Sequence, residues 1–120
     1  MNKEKDTTID APNDYKVTHK FFIAGVQHHQ MHKVLQQMEV NDFMQLVPEP
    51  TNKYDPNAVR IEYQTMTDSV MCGYVPRKFS SDVSADITIG TKLACVVVEL
   101  NKNAKPWEQC KVEIRAQEEV

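Results

Sequence analysis

Residues 58–76 read AVRIEYQTMTDSVMCGYVP. Val59, Ile61 and Tyr63 alternate with Arg60, Glu62 and Gln64. This is the period-two pattern of a strand with one face on a core, the first set pointing in and the second out. TMTDS (65–69) is a polar turn, and VMCGYVP (70–76) is a second short strand with a glycine inside it and a proline at its end. Two such runs divided by a short turn predict a β-hairpin.

Working outward, more strands appear. VTHKFFIAGV (17–26) is rich in β-branched and aromatic residues, so a strand is expected from near Lys16. Phe21 and Ile23 face one way, Phe22 and Ala24 the other; Gly25 ends the run or lets a ligand approach the backbone. DFMQLVPEP (42–50) reads as a strand stopped by proline. TKLACVVVELN (91–101) is almost continuously apolar, so a central strand with both faces buried is expected. WEQCKVEIRAQ (107–117) alternates again, with Cys110, Val112 and Ile114 inward.

Two segments carry a helical period. In HHQMHKVLQQMEV (28–40), Met31, Val34, Leu35 and Met38 recur at helical spacing. That predicts an amphipathic helix of about three turns, its stripe packed on the sheet. In RKFSSDVSADITIG (77–90), Ser80 or Ser81 is the expected cap, Val83 and Ile87 lie four apart, and Gly90 closes the segment. The expected fold is mostly β: a small, partly closed, six-stranded antiparallel barrel with two short helices.

At 120 residues and 41% hydrophobic content, the chain fits one domain, expected over 15–118 behind a flexible tail at 1–14. No apolar run approaches the roughly 20 residues of a membrane span. The first residues lack the apolar core of a signal peptide. A cytoplasmic protein is therefore expected, with no membrane partner. Cys72, Cys95 and Cys110 are an odd set without a C-x-x-C pair, so buried thiols are expected rather than a disulfide or metal site. A net charge of −3 argues against a protein that coats duplex DNA through its overall field, and leaves room for a small site at a strand end.

Three glycines cannot build a phosphate-cradling loop, and neither a nucleophile elbow nor a zinc-ribbon spacing is present. No cofactor is implied. His28, His29 and His32, with His19 nearby on the first strand, could share a metal, because positions 28 and 32 lie one helical turn apart. No cysteine or acid has a conventional ligand spacing beside them. Stacking or hydrogen bonding by His28 and His29 is the preferred reading.

PEPTNKYDPNAV (48–59) is a loop stiffened by prolines, whose Asn and Asp side chains can bond their own backbone. Tyr54 in its middle can stack on a base, with amides and a carboxylate nearby. The alternative is that Asn52, Asp55 and Asn57 only build turns while Tyr54 plugs the barrel end. The residues themselves leave both readings open.

The order FFIAGVQHH … LVPEPTNKYDPNAVRI … CGYVPRKFS resembles the HIRAN domain family over roughly residues 18–115. The resemblance implies a modified OB-like barrel that binds single-stranded DNA and holds its free 3′ end. It implies that the loop supplies Asn52, Tyr54 and Asp55, Tyr54 stacking on a terminal base and Asp55 accepting from the 3′ hydroxyl. Gln27, His28 and His29 match a basic residue and two tyrosines of the family's second wall. Tyr74 matches a further ring. Arg77 and Lys78 follow and could meet phosphates; Asn57 completes the candidate set. The expected function is a nucleic-acid-binding module in repair, replication or mobile-element settings, with helicase or nuclease proteins as partners. A metal-dependent nuclease accessory using His28, His29, His32 and Asp55, and a protein-interaction adaptor, are the alternatives. No ATPase motor and no catalytic constellation is visible, so the chain is expected not to be an enzyme.

Overall fold

The computed structural model describes residues 15–118; the tail expected at 1–14 lies outside the described residues. Six strands run in chain order as β1 (Tyr15–Phe22), β2 (Phe43–Pro48), β3 (Val59–Gln64), β4 (Ser69–Tyr74), β5 (Leu93–Leu100) and β6 (Cys110–Gln117). Among the described residues one α-helix, α1 (Arg77–Thr88), joins β4 to β5. The strands form one antiparallel sheet in the order β1-β6-β5-β2-β3-β4. β3 and β4 are the expected hairpin, with Tyr63 opposite Val70 and Gln64 opposite Ser69.

The sheet does not close along its strands. Its two edges meet at a single bridge, where Ala24, just past β1, and Tyr74, at the end of β4, exchange two backbone hydrogen bonds of 2.9 Å. Gly73 makes that approach possible. A Cβ there would sit 2.6 Å from Ile23 Cγ2 and closer still to the Ala24 carbonyl oxygen. A residue without a side chain lets two backbones come this near.

The interior follows the alternation read from the sequence. Phe21 and Ile23 are buried while Phe22 is exposed, and Cys110, Val112 and Ile114 all face the core. The three cysteines are free and buried. Burial pushes the thiols of Cys72 and Cys110 up to about 12 and that of Cys95 higher still, so all three stay protonated at neutral pH.

Four expectations need correction. The amphipathic segment at 28–40 is not an α-helix: three 3-10 turns, Val26–His28, Met31–Lys33 and Leu35–Gln37, carry it. His29 is extended between the first two, and the Gln30 N–H leaves the segment to reach Met71 O on β4 at 2.9 Å. That bond to the sheet takes the place of a continued helical ladder. Met31, Val34, Leu35 and Met38 are nonetheless all buried in the core. Second, Glu62 lies on the outer face of β3 with Arg60, as expected, but it is buried there rather than exposed, covered by Arg60 and by Ser69 of β4. Its charge is held by Arg60 and by the Ser69 hydroxyl at 2.6 Å, as a buried carboxylate requires. Third, α1 begins before Ser80 and Ser81: Pro76 is its N-cap and neither serine caps it. Fourth, β5 is buried on both faces only at Cys95, Val96 and Val97; Glu99 is exposed.

Candidate functional site

The loop between β2 and β3 folds on its own polar side chains. The Asn52 N–H donates to Glu49 O at 3.0 Å. The Asn52 Oδ1 accepts from the Tyr54 and Asp55 N–H groups at 2.9 and 3.1 Å. Asp55 Oδ1 accepts from the Asn57 N–H at 2.9 Å, and Ala58 N–H reaches Asp55 O at 2.9 Å. The Glu49 N–H to Ala58 O bond, 2.8 Å, closes the base. These side-chain-to-backbone bonds are what Asn and Asp do best in turns. These backbone donors are satisfied locally, and Tyr54 stands 79% exposed. Tyr54 therefore does not plug the barrel end.

Two ties fix the loop to the sheet and helix. The Glu49 carboxylate accepts from the Tyr74 hydroxyl at 2.7 Å and from Arg60 Nη1 at 3.3 Å. The Ser80 hydroxyl, buried on α1, donates to Asp55 Oδ2 at 2.7 Å. The bond from Ser80 and then that from the Asn57 N–H lower the pKa of Asp55, with Arg77 adding a smaller pull. For Glu49, partial burial pushes upward, but its bonds to Asn52, Tyr74 and Arg60 outweigh that and lower it. Tyr74 is raised by burial and by its bond to Glu49. Both carboxylates are thus ionised at neutral pH.

The opposite wall begins at Gly25, whose φ of +71° is the left-handed turn that starts the Val26–His28 segment. This turn brings the His29 ring edge-on to Tyr74, centroids 5.5 Å apart. Burial of the His29 ring, and then the neighbouring His28, lower its pKa, while Glu49 pulls it partly back.

Between the walls lies a cavity of about 540 Å³, within the roughly 300–1,000 Å³ of small-ligand pockets. His28, His29, Asn52, Tyr54, Asp55, Tyr74 and Arg77 all line it. Ala24, Gly25, Ala58 and Val75 supply its apolar floor. Three candidates lie outside the lining. Gln27 is exposed beside it; Asn57 contributes only the N–H that Asp55 accepts; the Lys78 ammonium sits 5.1 Å above the Phe79 ring.

The histidines do not gather. His19 packs its ring against Phe79 with Nε2 3.5 Å from Asp82, and His32 is exposed. Among the described residues, no group of three or more His, Cys, Asp or Glu is placed to hold a metal ion. A nuclease reading through His28, His29, His32 and Asp55 has no assembled ligand set there.

The sequence reading missed the parts that three residues play. Glu49 and Ser80 brace the loop from outside the cavity. Trp107, 47% exposed, lies on a 3-10 turn packed against Val26–His28, with Lys105 Nζ 5.8 Å from its ring centroid. A lone aromatic in a Lys-rich loop is the one signal that pointed to Trp107.

Among the described residues, no helix is long and apolar enough to cross a membrane. Two solved structures share the fold. A protein from Lactobacillus plantarum superimposes with a TM-score of 0.72 at 19% identity, covering 88% of this chain and 97% of that one. The HIRAN domain of human HLTF superimposes with a TM-score of 0.66 at 14% identity, covering 89% of this chain and 83% of that one. No curated protein matches the sequence. The HIRAN domain model, which describes a DNA-binding module, matches residues 16–119, so the chain belongs to the HIRAN domain family.

Proposed function

We propose that this domain captures the free 3′ end of single-stranded DNA in the cavity between the Asn52–Asp55 loop and the His28–His29 turn. One observation carries the reading: an exposed ring, Tyr54, and an ionised carboxylate, Asp55, share a single cavity with three further rings, His28, His29 and Tyr74. Tyr54 offers its face to the terminal base, since stacking tolerates any base. A carboxylate oxygen has two acceptor sites, so Asp55 can take a 3′ hydroxyl while still holding the Ser80 and Asn57 donors. The same charge repels a terminal phosphate. Arg77, in the lining at the start of α1, is the cation for an internal phosphate. Trp107 and Lys105, beside the histidine turn, offer a second stacking ring further along the strand.

Such a module marks or holds DNA ends for other proteins in repair, replication or mobile-element processes; helicases and nucleases are the partners this implies. Fluorescence anisotropy with matched oligonucleotides ending in a 3′ hydroxyl or a 3′ phosphate tests it. Tighter binding of the hydroxyl end is expected; equal affinity for both ends rules end capture out.

A further inference from the structure

Glu49 does not line the cavity, yet both the loop and the opposing Tyr74 ring converge on its carboxylate, with Arg60 from outside the lining. Oε1 accepts from Asn52 Nδ2 at 3.0 Å and from the Tyr74 hydroxyl at 2.7 Å. Oε2 accepts from Arg60 Nη1 at 3.3 Å, and Arg60 is held in turn by the buried Glu62. The amide of Asn52 is thereby oriented. Its NH₂ end faces Glu49, so its oxygen faces the N–H groups of Tyr54 and Asp55. A flipped amide would set two hydrogen-bond donors against two more.

We propose that Glu49 is a positioning residue for this site. Through Asn52 it fixes the backbone of Tyr54 and Asp55. Through the Tyr74 hydroxyl it ties the opposing ring to the same loop, so both walls keep one geometry. The charge is essential to this role. Glutamine has the same size but only one acceptor oxygen, and its NH₂ group would face either Arg60 or the Asn52 and Tyr74 donors. A side chain that merely filled space would be replaced by glutamine without effect. The consequence for binding rests on the end-capture reading; the ordering of the loop does not.

The full chain is compared with Glu49→Gln, Asn52→Ala and the double variant, with circular dichroism to verify that each folds. Amide hydrogen exchange of Tyr54 and Asp55 in the free protein is expected to speed up roughly tenfold or more in Glu49→Gln, since the acceptor that protects them loses its anchor. The double variant is expected to exchange no faster than Asn52→Ala. Affinity for a 3′-hydroxyl oligonucleotide is expected to fall roughly tenfold in Glu49→Gln through lost pre-organisation. Unchanged exchange overturns the proposal, as does unchanged affinity in a Glu49→Gln protein whose parent binds. A parent chain that binds no oligonucleotide defeats end capture alone, while the exchange measurement still decides the role of Glu49.

Discussion

The Ser80 hydroxyl donates to Asp55 Oδ2 at 2.7 Å, joining the buried side of α1 to a loop 25 residues earlier in the chain. Ser80 is only 2% exposed, so its hydroxyl has no bulk water to turn to. The helix therefore sets where the Asp55 carboxylate points. Ser80→Ala removes this tie with almost no change of volume. Affinity for a 3′-hydroxyl end is expected to fall about five- to tenfold, the scale of one net hydrogen bond. Anisotropy titration checks it; an unchanged dissociation constant would show that Asp55 is held well enough by its own loop.

Tyr54 has the opposite character, since its ring touches little of the protein. Tyr54→Ala should leave the melting temperature near that of the parent. It should weaken binding of single strands by about 1–3 kcal/mol, the usual worth of a stacked base. Tyr54→Phe should retain most of the affinity. Binding that survives the alanine change removes the ring from the site.

The His29 ring makes both stability and binding depend on pH, in opposite directions. Its folded pKa lies below 6.5, first because of burial and then because of His28. The unfolded chain therefore takes up the proton first. The contribution to stability is fully present above about pH 6.5 and is lost as pH falls below it, toward the folded value. An approaching phosphate favours the imidazolium, so binding should tighten from about pH 8 to about pH 5.5, while Asp55 and Glu49 stay ionised. Titrations and thermal melts across that range at fixed ionic strength test both slopes, and His29→Gln should flatten them. A flat binding profile in the parent would exclude His29 as a phosphate partner.

Gly73→Ala should disturb the point where the sheet edges meet. The new methyl would crowd Ile23 Cγ2 and the Ala24 carbonyl oxygen, neither of which is the free end of a long side chain. A loss of about 1–3 kcal/mol is expected from such overpacking. Binding should weaken as well, because the Ala24–Tyr74 bridge holds both cavity walls. Urea unfolding gives the first quantity. A variant as stable as the parent would show that the bridge is not a tight junction.

Strand faces were legible because alternation is a local property. Phe21 and Ile23, or Cys110, Val112 and Ile114, declare their side of a sheet without reference to any other element. The hairpin at 59–74 was legible for the same reason. Met31, Val34, Leu35 and Met38 were correctly read as core, but the backbone between them was not. Their spacing suits one α-helix and a chain of 3-10 turns alike, and the choice is made by the Gln30 N–H finding Met71 O on a distant strand. Glu62 was given its correct face, but its burial was not legible, because the Ser69 hydroxyl that covers it comes from β4 and the alternation within β3 cannot show it.

By itself the sequence determined that the chain builds an antiparallel β domain with buried thiols, and which loop holds an aromatic ring among turn-forming side chains. The tertiary structure alone decided that this loop, the His28–His29 turn and the start of α1 enclose one cavity. It alone assigned Glu49 and Ser80 to hold the loop in place, since their partners Tyr74 and Asp55 each lie 25 residues away. A short-range pattern records which face a side chain takes. A hydrogen bond across such a separation exists only after the sheet has brought its ends together.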